Sequence, residues 1–125
     1  MLRIIAIIYG MIFLSFGILG FVPSLTPNHL LFNLFAVNCT VNTLHLLTGV
    51  LAIWAGLQKA SFSKIFFQLA GFVYAMITVL GFACGDTYVL GILATNMPDT
   101  WANLLIAILS IYFGFCIKIN AYKKK

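Results

Sequence analysis

Hydrophobic residues run along this chain in four long blocks, over residues 2–22, 41–58, 62–83 and 99–119, and polar positions gather in the gaps between them. Each block has about the length at which a helix crosses the roughly 30 Å apolar core of a bilayer. Backbone N–H and C=O groups have no water to bind in lipid, so a block of this kind is expected to be an α-helix. The second block is the shortest and the most polar, and is expected to be shielded by its neighbours. The two outward gaps are themselves apolar. Thr26-Pro27-Asn28 reads as a helix start, and Leu30, Leu31, Leu34 and Phe35 follow at helical spacing. Tyr88, Val89, Leu90 and Ile92 suggest a shorter version. Both gaps are expected to hold short interfacial helices, with an ordered apolar loop as the alternative.

The blocks recur in pairs. Gly10, Phe13, Gly20 and Phe21 align with Gly71, Tyr74, Gly81 and Phe82 at one constant offset. Ala36, Asn38, Leu46 and Gly56 align with Ala94, Asn96, Leu104 and Gly114 at another. The expected architecture is therefore all-α: one transmembrane domain, residues 1–125, built as a tandem 2+2 repeat (1–60 and 61–125). Two crossings per unit make the repeats parallel, with their pseudo-symmetry axis along the membrane normal. The first block carries Arg3 and a long apolar run without an A-x-A site, and the repeat needs it as a partner, so it is expected to be retained rather than cleaved.

Composition agrees with lipid as the solvent. Hydrophobic residues make up 63% and charged ones 7%, too few charges for a soluble shell at this length. The net charge of +5 would suggest nucleic acid in a soluble protein, but Arg3, Lys59, Lys64, Lys118, Lys123, Lys124 and Lys125 sit at block ends. With four crossings they fall on one face, and Asp86 and Asp99 on the other. The positive-inside rule then puts both termini on the cytoplasmic side of the membrane. The Tyr122-Lys123-Lys124-Lys125 run is expected to anchor at the anionic leaflet, and Trp54 and Trp101 to sit at opposite interfaces.

Polar residues inside the blocks are the candidate chemistry. Asn38 and Asn96 are expected caps, with Pro98 and Asp99 completing the start of the fourth helix. Asn42, His45, Gly49, Ala52 and Gly56 share one face, and Thr100, Asn103, Ala107, Ser110 and Gly114 share the matching one. Similar stripes run through Ala6, Gly10, Phe13, Gly17 and Gly20, and through Gly71, Tyr74, Thr78 and Gly81. Small residues permit close backbone approach, so the four stripes should meet at the bundle centre. Asn42, His45, Thr100 and Asn103 form the candidate cluster, either as hydrogen-bonded glue or as a ligand or proton site around His45. No metal or other cofactor is expected, because His45 has no acidic or Cys partner nearby in sequence. Cys39 and Cys84, in the two outward connectors, are a candidate disulfide.

An apolar helix ending in Gly-Phe, a connector ending in Ala-x-Asn, then Asn-x-x-His-Leu-x-x-Gly over Asn42–Gly49 resembles an uncharacterised family. Its members are small four-helix bacterial membrane proteins carrying the domain of unknown function of the 4383 type. The resemblance covers nearly the whole chain and implies the four-helix architecture and no established activity. Family members often carry His in both halves, whereas this chain has Asn103 at the second position. The expected function is a non-enzymatic accessory or scaffold module, alone or in a homo-oligomer or larger membrane complex. The alternatives are a small-molecule or proton carrier with its polar site around His45, and thiol-redox chemistry at Cys39 and Cys84.

Overall fold

The structure, a computed structural model, describes residues 1–118. Four helices follow one another: α1 (Leu2–Leu19), α2 (Cys39–Leu57), α3 (Ala60–Cys84) and α4 (Met97–Ile111). A π-helical turn over Tyr112–Cys116 extends α4. All four, with α4 counted through Cys116, are long and apolar enough to cross a membrane. The lysine tail and the last residue of the fourth block lie outside the described residues.

Two antiparallel pairs make the bundle. Within the first, α1 and α2 approach closely enough that a Cβ on Gly10 would stand 2.6 Å from the Gly49 carbonyl oxygen, and one on Gly49 2.7 Å from that of Gly10. Only glycine permits that distance. The α3–α4 pair meets in the same way, with Gly71 against Ile111 and Gly114 against Gln68. The pairs join through Phe13, Ala70, Tyr74 and Ala107, and through Leu2, Ala6 and Phe67. Side-chain hydrogen bonds cross between the pairs as well: Tyr9 to Ser110 at 2.9 Å, Thr48 to Tyr74 at 3.0 Å, and Ser63 Oγ donating to Ala55 O at 3.1 Å. The expected stripes thus turn inward, while the large residues beside them, such as Leu69, Phe72, Val79 and Leu105, face outward.

The connectors depart from expectation. In place of short interfacial helices, each folds as a β-hairpin: β1 (Leu30–Leu31) with β2 (Phe35–Ala36), and β3 (Tyr88–Val89) with β4 (Leu93–Ala94). Helical structure is confined to short 3₁₀ turns at Pro23–Leu25 and Pro27–His29. Asn28 and His29 then adopt positive φ, which ends the turn, and Phe32 and Asn33 do so again at the hairpin tip. Positive φ at both tip residues is the type I′ geometry that suits the twist of two short strands. Leu31 and Phe35, four apart, would be neighbours on a helix and are cross-strand partners in the hairpin. That spacing alone cannot separate the two.

Asn38 and Asn96 tie the hairpins together. Each side-chain oxygen caps its own helix, accepting from Val41 N–H at 2.9 Å and Asp99 N–H at 3.0 Å. Each side-chain amide crosses to the opposite hairpin: Asn38 Nδ2 donates to the Ile92 carbonyl and Asn96 Nδ2 to that of Leu34, both at 2.9 Å. At the far end Arg3 Nε donates to Gly56 O and Lys64 Nζ to Ile117 O, both at 3.0 Å. Cations there favour the negative ends of the helix dipoles.

Candidate functional site

The four residues of the candidate cluster separate into two environments. Asn42 is buried where α1 ends, donating to Gly20 O at 2.8 Å. Thr100 is buried against Gly81, and its hydroxyl lies 3.4 Å from that of Thr95. Each therefore belongs to the close packing of one helix pair. His45 and Asn103 instead face two cavities on opposite sides of the bundle beneath the hairpins. The imidazole sits edge-on to the Phe13 ring, with centroids 5.5 Å apart.

One cavity is about 220 Å³. Its walls are Phe13 and Phe16 of α1, Leu31, Phe35 and Val37 of the first hairpin region, and Ala102 and Ile106 of α4. The exposed residues of its lining, Ile12, Phe16 and Leu105, lie on the outer apolar faces of α1 and α4. Among the described residues, polar side chains reach it from His45, Asn103 and Asp99 alone. The other cavity, about 30 Å³, holds roughly one water. Leu44, Ile77, Val89 and Leu93 line it, where the larger one has Ala102, Phe16, Leu31 and Phe35 at the matching repeat positions.

Asp99 is the site residue that the sequence pattern assigns only to a helix start. Its backbone N–H takes the Asn96 cap, the residue borders both cavities, and Oδ2 is enclosed without a hydrogen-bond partner among the described residues. The available signal was its rarity: with Asp86 it is one of two acids in a chain of apolar helices, and such residues mark sites by default.

Cys39 begins α2 and Cys84 ends α3, both at the hairpin end, and both thiols are free. Among the described residues no three of His, Cys, Asp and Glu converge as a metal site would require. An imidazole, an amide and a carboxyl around an apolar chamber can orient and hydrogen-bond a small molecule.

Four spanning-length helices capped by paired hairpins define a multi-pass membrane protein with a chamber set into its side. The chain matches the model of the family described as Domain of unknown function (DUF4383) over residues 3–116, and it belongs to that family. No curated protein and no solved structure matches it.

Proposed function

We propose that this chain is a non-enzymatic membrane binding protein that takes a small amphipathic molecule from the bilayer into the chamber beneath its first hairpin. The chamber itself carries this function: about 220 Å³, apolar-walled, open towards lipid, with its polar side chains, among the described residues, at His45, Asn103 and Asp99. That combination is the usual make-up of a small-molecule site.

The topology proposed is a tandem 2+2 parallel repeat. Matching positions in the two halves supply the hairpin registers, the crossed asparagine bonds and the Arg3 and Lys64 end contacts. Arg3, Lys59, Lys64 and Lys118 gather at one end and Asp86 and Asp99 at the other, which supports cytoplasmic termini in a bacterial inner membrane.

Native mass spectrometry of protein released from nanodiscs tests the function. A retained small molecule on the wild-type chain, lost in Ala102→Leu, is expected. Leu44 occupies the matching place beside the closed cavity, so this change should take up a large part of the chamber with a side chain the fold already accommodates. Identical spectra for both proteins, with bulk phospholipid alone, would overturn it. Co-purifying subunits without a small molecule would instead favour the accessory-module role.

A further inference from the structure

Resting on the binding function proposed above, we infer that the ligand enters the chamber tail first: a single unbranched hydrocarbon chain fills it, and the polar head stays outside. His45, Asn103 and Asp99 border the chamber, yet almost none of the surface it exposes is nitrogen or oxygen. Asp99 Oδ2 is enclosed and presents nothing to an occupant. The smaller cavity exposes more polar surface than the chamber, although its volume is about 30 Å³ against about 220 Å³. Thr95 stands in its wall where Val37 stands in the chamber's. A hydroxyl, amine or carboxylate drawn between carbon walls would leave its hydrogen-bond partners behind without gaining new ones, which is costly. A hydrocarbon chain gives up no such partner on leaving lipid, and it gains the dispersion contacts that a void withholds.

Volume and the repeat set the kind of chain. At about 30 Å³ per water-sized group, a chamber of about 220 Å³ encloses roughly seven carbons. That suits the end of one straight chain and is too little for a fused ring system. Ala102 stands where the smaller cavity has Leu44, so the extra volume is space that a hydrocarbon side chain fills in the other half. Ile12, Phe16 and Leu105 carry the wall out to the apolar faces of α1 and α4, where the rest of the chain keeps lipid-like surroundings. Leu31, Phe35 and Val37 place the chamber at the hairpin end of the bundle, so a head left outside stays close to the membrane surface.

The test uses the full chain in phosphatidylcholine nanodiscs with three probes that carry a diazirine at the same chain carbon: octylamine, octanol and octanoate. Labelled peptides are read by mass spectrometry relative to lipid-facing α3 peptides, which corrects for partitioning, with and without unlabelled octanol or octane. Saturable labelling within α1 and α4 by all three probes is expected, equal to within about threefold, whereas one hydrogen bond to a charged head would separate them by about tenfold. Octane, which has no head, should compete as well as octanol, and Ala102→Leu should reduce the labelling severalfold. Elution of Ala102→Leu at the wild-type position on size exclusion shows that its fold is intact; if it does not fold, the probes and competitors on the wild-type chain still decide. A preference of that larger size for one head, or competition by octanol without competition by octane, overturns this inference and leaves the binding function standing. A phosphatidylcholine with the diazirine in its acyl chain identifies the source: α1 and α4 labelling that Ala102→Leu abolishes would assign the chain to bilayer lipid, upholding tail-first entry and overturning the small-molecule ligand. Probe labelling that neither competitor reduces overturns both.

Discussion

Glycine and asparagine carry opposite duties in this chain, and single substitutions separate them. A Cβ on Gly49 would stand 2.7 Å from the Gly10 carbonyl oxygen, so Gly49→Val must push α1 and α2 apart. Overpacking of this kind costs about 1–3 kcal/mol, and a matching fall in detergent-solubilised thermal stability is expected. Gly91 is different. It has open space and a positive φ, and Asn33, at the matching hairpin position, adopts the same backbone. Asn tolerates that region better than other side chains, so Gly91→Asn should leave stability unchanged. Equal losses for both variants would contradict the packing. Tyr9→Phe removes the bond to Ser110 and should cost about 0.6 kcal/mol, the average for such bonds between membrane helices. Three residues along α2 turn the helix by about 60° from a full turn. That is enough to send Asn42 to Gly20 and His45 to the chamber, although both lie on one polar stripe.

At the scale of elements, the hairpins depend on two asparagines that each do two things. Asn38→Asp keeps an oxygen to cap α2 but has no amide to donate to Ile92 O. Hydrogen–deuterium exchange should therefore quicken in the second hairpin, over Tyr88–Ala94, with the start of α2 unchanged. Asn96→Asp should loosen the first hairpin in the same way. Unchanged exchange in both would show that the crossed bonds hold nothing. Both caps were legible in the sequence, because Asn before a helical run has a local meaning. The crossing was not, since Leu34 and Ile92 offer only backbone carbonyls, which carry no residue signature. The hairpins themselves were illegible for a related reason: Leu31 with Phe35, and Val89 with Leu93, suit a helix face and a strand pair equally.

For the whole molecule, the proposed orientation makes Cys39 a native reporter. It is exposed at the hairpin end, so a membrane-impermeant maleimide should label it from the outer side of intact spheroplasts. A cysteine placed at Lys59, at the opposite end, should react only after the membrane is opened. The reverse pattern would invert the proposed topology. Labelling of Cys39 and Cys84 without reductant should also succeed, because both thiols are free in the structure; protection of both until reduction would restore the disulfide.

By itself, the sequence determined the four spanning helices, their caps and their inward stripes of small residues. Those follow from local rules: hydrophobic length, helical periodicity and the backbone needs of a helix start. Only the tertiary structure decided that the connectors pair as strands and that the polar cluster divides. It also decided that a chamber is left open beside Ala102, with Asp99 at its border. These depend on the distances and leftover volume between segments remote in the chain, which no local pattern encodes.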